Sequence, residues 1–416
     1  MLIHRDSYLD RLIQSQSNGL VKIITGLRRV GKSWLLFRLF AERLKENGVP
    51  EDHIVKIDLE DRRNAKLRNP DELLAYADAK VGGEGKYYVL IDEVQHAPEF
   101  EDVLNSLAKN TNVDVYVTGS NSCFLSTDIA TIFRGRGDRI HVWPLSFSEY
   151  LGASELSVVD AWKEYFTFGG LPHVLSLPTD REKINYLHNL FSSVYVADIV
   201  ERYGLKGAEG IGDVLKVCAS LVGSLTNPNK LANTFKSRGR SVLSYKTIDH
   251  YLEFICEAFL AEKSLRYDVK GKKYINALAK YYFSDVGVRN AILDFRQQEE
   301  NHIMENVIYN ELRMRGFMVD VGIVSHRTTA KGETFSTQYE VDFVANMGSR
   351  RYYVQSAFTM PSDEKRKQET ESLRRIGDSF RKVIITRDDV KPYFDEDGIL
   401  TVNLFDFLLH PSSIDG

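Results

Sequence analysis

In the first third of this chain the apolar positions form short β-branched and aromatic runs, separated by stretches with helical spacing. LVKIIT (20–25), YVLI (88–91) and the alternating VDVYVT (113–118) carry the signature of strands. SWLLFRLFAERLKENG (33–48) has apolar residues on one helical face and ends in Lys45 and Gly48, a stop signal. Strands alternating with helices predict an α/β fold built on a doubly wound parallel sheet.

The pattern changes beyond residue 150. Residues 151–208 read as helical, interrupted by the break Gly169-Gly170-Leu171-Pro172. Three further helices are predicted in IGDVLKVCASLVGSL, NKLANTFKSRG and SYKTIDHYLEFICEAFLAEKSLRYD, the last running into a strand. YDVKGKKYINAL predicts a hairpin, and three helices plus a hairpin is the winged-helix plan. The last third predicts a helix in HIMENVIYNELRMRGF, a strand pair in TFSTQYEVDFVANMGSRRYYVQSAF, and one more helix and strand. These shifts predict four regions: 1–150, a helical lid-like 151–208, a winged-helix 209–296 and an α/β domain 297–416.

Chemistry enters at the first strand–helix junction. Gly26-Leu27-Arg28-Arg29-Val30-Gly31-Lys32-Ser33 fits GxxxxGK[ST], with a strand before it and a helix after it, and these residues with Trp34 are the candidate nucleotide-binding residues. Glycines let the backbone close on an anion, and a helix start offers unpaired N–H groups to a phosphate. Lys32 then reaches the β- and γ-phosphates of a nucleoside triphosphate, and Ser33 ligates Mg²⁺. A plain strand–turn–helix with a surface lysine is the alternative. A second strand ends in Asp92-Glu93, a costly place for acids without a partner cation. Asp92 is the candidate magnesium ligand and Glu93 the candidate base. Ser120 and Asn121, after the third strand, are candidates for orienting water or sensing the γ-phosphate. Past them, Arg134, Arg136 and Arg139 are candidates for an arginine finger acting on a neighbouring subunit, with Arg136 foremost. A surface or interdomain salt bridge is the equal alternative.

Composition narrows the class. The 416 residues carry a net charge of −4, so overall charge does not mark the chain as a polyanion binder. Residues 221–280 nevertheless hold eleven Lys or Arg against five Asp or Glu. Lys236, Arg238, Arg240 and Lys246 cluster near the third helix of the winged-helix pattern, and Lys272 lies on the hairpin turn. They are candidate contacts to double-stranded DNA, against the alternative of a solvated rim. Three cysteines without a CxxC pair fit a reducing cytoplasm. The charged N-terminus does not read as a signal peptide, and no apolar run reaches bilayer length.

The order of these pieces resembles the AAA+ class of P-loop ATPases. More closely, it resembles a prokaryotic family of AAA-type ATPases with a winged-helix region and a C-terminal restriction-endonuclease-like domain. The residues that carry the resemblance are ITGLRRVGKSWLL, VLIDEVQHAPEFEDVLNSL, VTGSNSCFLS, FRGRGDRIHVWPLSFSEYL, FGGLPHVL, ENVIYNELRMRGF and YEVDFVA. The resemblance implies ATP as the nucleotide, Mg²⁺ as the metal, hydrolysis coupled to conformational change, and a homo-oligomer completed by an arginine finger. A nucleotide-gated DNA-binding or signalling switch with negligible turnover is the rival reading. The resemblance also implies a C-terminal carboxylate site, with Glu305 on a helix and Asp342 on a strand, near Glu340. Its (D/E)xK position reads Gln355-Ser356-Ala357, without carboxylate or lysine, so the site is expected not to cut; Lys365 and Lys367 are candidates for a displaced lysine.

Overall fold

The computed structural model describes residues 3–119, 135–237, 243–330 and 333–415. The chain divides into two units, residues 1–144 with 257–259, and residues 145–256 with 260–416.

The first unit is built on five strands: β1 (Val21–Thr25), β2 (Ile54–Asp58), β3 (Tyr87–Asp92), β4 (Val113–Thr118) and β5 (Gly137–His141). Their order is β2-β3-β4-β1-β5, and every pairing is parallel. Every residue of β1, β3 and β4 is buried, as expected where both faces of a parallel sheet are covered. One face packs Val21, Ile23, Val89, Ile91 and Val115 against Leu73, Phe100 and Leu104 of the crossover helices Pro70–Lys80 and Phe100–Leu107. Asn69 caps the first of these by accepting from the backbone N–H groups of Asp71 and Glu72, satisfying donors that have no partner inside the helix. A buried ion pair, Lys22 with Asp114, ties β1 to β4. Parallel order brings all five carboxyl ends to one edge, where ligands of open α/β sheets bind. Because β4 lies between β1 and β3, Thr118 at its end stands between the Gly-rich turn after β1 and the acids that follow β3.

The second unit begins with helices, including Val158–Phe168 and Asp180–Leu190. The Gly169-Gly170 break has a specific partner: Asp285 accepts from Gly170 N at 2.7 Å and from Val288 N at 2.9 Å. It thereby caps the helix Val286–Ile292. The helices Glu209–Ser220, Pro228–Ser237 and Tyr245–Glu257 follow, then the hairpin β6 (Ala261–Asp268) and β7 (Lys273–Phe283), in the order the sequence predicts.

These two strands do not stand apart. They continue a sheet with β8 (Met318–Ala330), β9 (Glu333–Met347), β10 (Arg350–Ala357), β11 (Arg381–Thr386), β12 (Tyr393–Phe394) and β13 (Ile399–Asn403). Its order is β12-β13-β11-β10-β9-β8-β6-β7, with β6 pairing β8 in parallel. The helix Glu300–Met314 packs on β7, β8 and β10 and is buried from Ile303 to Leu312. Its buried polar residues are partnered: Asn306 exchanges two hydrogen bonds with the backbone of Phe283, and Glu311 pairs with Arg315 at 2.7 Å. Among the described residues, no helix is long and apolar enough to cross a membrane.

Candidate nucleotide site

The turn after β1 closes on itself. Gly26 approaches the backbone so closely that a Cβ there would lie 2.1 Å from the carbonyl oxygen of Val142. Gly31 adopts φ 91°, ψ 25°, left-handed values that glycine reaches without strain. The helical run of residues 32–46 starts immediately after it and includes a π segment, Leu35–Phe40. Leu27 and Val30 are buried, whereas Trp34 is 53% exposed on the helix start.

Lys32 is 5% exposed, and its ammonium donates to the carbonyl oxygens of Gly26 at 3.0 Å and Leu27 at 3.1 Å. Burial pulls its pKa down to about 8, against the opposing pull of Glu93 and Asp92. The lysine is thus buried, close to acids, and bonded to weak neutral acceptors that an anion can displace.

Asp92 ends β3, and its carboxylate is raised from the usual range by burial, with hydrogen bonds from Thr118 and Ser33 opposing the shift. The Ser33 contact joins the Gly-rich turn to the acidic strand. Thr118 donates to Asp92 and accepts from Glu93 N at 2.9 Å. Glu93 is held at φ 49°, ψ 53°, a left-handed conformation that costs a non-glycine residue about 1–3 kcal/mol and concentrates at functional sites. Gln95 donates to its carboxylate. Thr118 and Gln95 were not singled out in the sequence, because their roles depend on strand order and on a local turn. The observable signal for Thr118 was only its place at the end of a strand.

The other predicted site residues lie as follows. Asn121, with Ser120 and Arg134, falls outside the described residues, as do Arg238 and Arg240. Arg136 is exposed just before β5, level with the amino end of β1, where its carbonyl accepts from Val21 N. The length of β1, roughly 15 Å at about 3.3 Å per residue, separates it from its own Gly-rich turn. Arg139 instead donates to Thr25 Oγ1 at 3.2 Å. Lys236 lies on the helix Pro228–Ser237, while Lys246 and Lys272 are exposed. Two of the basic residues behind the local charge surplus, Arg266 and Lys280, are buried.

In the C-terminal fold, Glu305, Glu340 and Asp342 do converge, but around Lys280 of β7. Of the two candidates for a displaced lysine, Lys365 pairs with Glu369 one helical turn away, at 2.5 Å.

Residues 18–151 match the family described as AAA domain, and residues 159–299 match a domain of unknown function, DUF8612. An uncharacterized protein of Haemophilus influenzae is 33% identical over 417 residues, covering 98% of this chain and 99% of the relative. An uncharacterized protein of Methanocaldococcus jannaschii is 26% identical over 362 residues, covering 84% of this chain and 77% of the relative. Among solved structures, a Walker-type ATPase of Pyrococcus abyssi superposes with a TM-score of 0.50 at 14% identity, covering 70% of this chain and 96% of that one. That likeness is one of fold.

Proposed function

The chain belongs to one family with the Haemophilus influenzae protein and carries an AAA domain, and from that premise we propose that it hydrolyses ATP with Mg²⁺ to drive conformational change. The observation that carries this reading is Lys32, a buried cation bonded to two carbonyls at the mouth of a Gly-rich turn. In binding, Lys32 exchanges those carbonyls for the β- and γ-phosphates, while backbone N–H groups of residues 26–34 line the cradle. Ser33 and Asp92 fit a magnesium ion, since a hydroxyl and a carboxylate already meet there; the ion, when bound, neutralises charge across the two phosphates. Glu93 takes a proton from the attacking water, and Thr118 keeps it in step with Asp92. Arg136 cannot serve its own cradle from the opposite end of β1, so as a finger it acts on a second copy.

Calorimetry and turnover test this. Lys32→Ala should remove ATP binding, and Glu93→Gln should bind ATP with turnover reduced at least about 100-fold. Equal hydrolysis by wild type and Glu93→Gln would remove the assigned base.

Exposed Lys246 and the hairpin-turn residues Lys270, Lys272 and Lys273 favour a second element of the reading, contact with duplex DNA. If they meet phosphates, Lys272→Ala should weaken duplex binding and lower the salt slope by about one, read by fluorescence anisotropy.

A further inference from the structure

Endonuclease-like folds use clustered acids to hold a divalent ion, and this chain has three acids in that place. Lys280 lies among them. Its Nζ is 2.8 Å from Glu305 Oε1, 2.7 Å from Glu340 Oε1 and 3.3 Å from Asp342 Oδ1. The remaining acceptor capacity is partly taken as well. Tyr282 donates to Glu305 Oε1 at 2.7 Å, and Ser356 N donates to Asp342 Oδ2 at 2.9 Å. Where a metal site would carry a second strand carboxylate stands Gln355, whose amide oxygen accepts from Asp342 N at 3.4 Å. Ala357, in the place of a catalytic lysine, packs into the apolar core.

Magnesium needs near-octahedral oxygen ligands at about 2.0–2.1 Å. A buried ammonium cannot share that volume with an ion, and Lys280 is only 2% exposed. Among the described residues, no group of three or more His, Cys, Asp or Glu is arranged to hold a metal ion. The residues therefore do not fit the metal that the resemblance implies. Burial alone would lower the lysine's pKa, but the three carboxylates outweigh it and hold Lys280 above its usual value.

We infer that Lys280 is the resident cation of this cluster, an internal substitute for a divalent ion, so that the C-terminal fold takes no metal there. The cluster is a staple instead. It joins β7 of the hairpin, the helix Glu300–Met314 and β9, adding side-chain bonds to the backbone pairing of β6 with β8.

Mn²⁺ binding to the nucleotide-free full chain, followed by electron paramagnetic resonance, tests this. Wild type, Glu340→Gln and Asp342→Asn should bind the same number of ions. One more ion per chain in wild type than in either folded variant would overturn the inference. Lys280→Met leaves three carboxylates without their cation, and the folded variant should gain about one Mn²⁺ per chain. A folded Lys280→Met with no gain would show that the lysine does not stand in a cation's place. If Lys280→Met does not fold, the wild-type comparison with the half-exposed Glu340 position decides alone.

Discussion

Of the buried lysines among the described residues, Lys32 and Lys280 each sit beside several acids, and they are in opposite states. Lys32 has its pKa lowered to about 8 by burial and bonds two carbonyls. Lys280 has its pKa raised and bonds three carboxylates. Both are close to fully buried, so burial does not separate them; partners do. A cation bonded to weak acceptors is ready to receive an anion, whereas one bonded to carboxylates has already received it. The same side chain makes a ligand site in one unit and a closed staple in the other.

Removing each lysine should expose that contrast most strongly in stability. Lys280→Ala leaves buried carboxylates without their cation and should cost about 3–5 kcal/mol, read by urea unfolding. Lys32→Ala removes a desolvated charge and should change stability by less than about 1 kcal/mol; similar losses for both would erase the distinction. Asp285 asks what burial does without a facing cation. Its pKa is raised from 3.8 to about 6 by burial, with backbone N–H groups opposing. A raised folded pKa means that stability from this group is full below about pH 3.8 and is lost as pH rises through about 6. On that basis wild type should lose on the order of 2–3 kcal/mol between pH 4 and 7 through Asp285. Asp285→Asn should flatten that part of the profile. A smaller effect than at Lys280 or Asp285 is expected at Thr118, whose hydroxyl bonds the Asp92 carboxylate and the backbone N–H of Glu93. Thr118→Val leaves Glu93 N and Asp92 short of a partner, at about 1–2 kcal/mol, and should lower turnover more than ATP affinity.

The two clusters also differ in how far the sequence announces them. The nucleotide site rests on contiguous residues, Gly26 to Ser33, and on an acidic pair that a buried strand does not otherwise tolerate. Such signals survive without coordinates. The lysine staple is assembled from residues 280, 305, 340 and 342, on three elements whose pairing is a property of the whole sheet. The (D/E)xK pattern assigns its lysine to position 357, where Ala357 stands, and not to β7. One local sign was present: Lys280 interrupts the apolar end of a strand, between Ala279 and Tyr281, where an unpartnered charge is expensive. Similarly, the Gly169-Gly170 break is legible as a turn, but its partner Asp285 is remote in sequence. Three strands of the first unit, β1, β3 and β4, were readable because parallel strands buried on both faces are rich in apolar residues; β2 and β5, only partly buried, carry no such run. The continuity of β6 with β8 was not readable, since no local pattern encodes which edge a hairpin joins.

The contact of Gly26 with Val142 has a mechanical corollary. Val142 lies two residues before Pro144, where the chain leaves the first unit. No side chain separates the two backbones at this contact, and Val142 N donates to Thr25 O at 2.8 Å beside it. Gly26→Ala would wedge the two backbone segments apart.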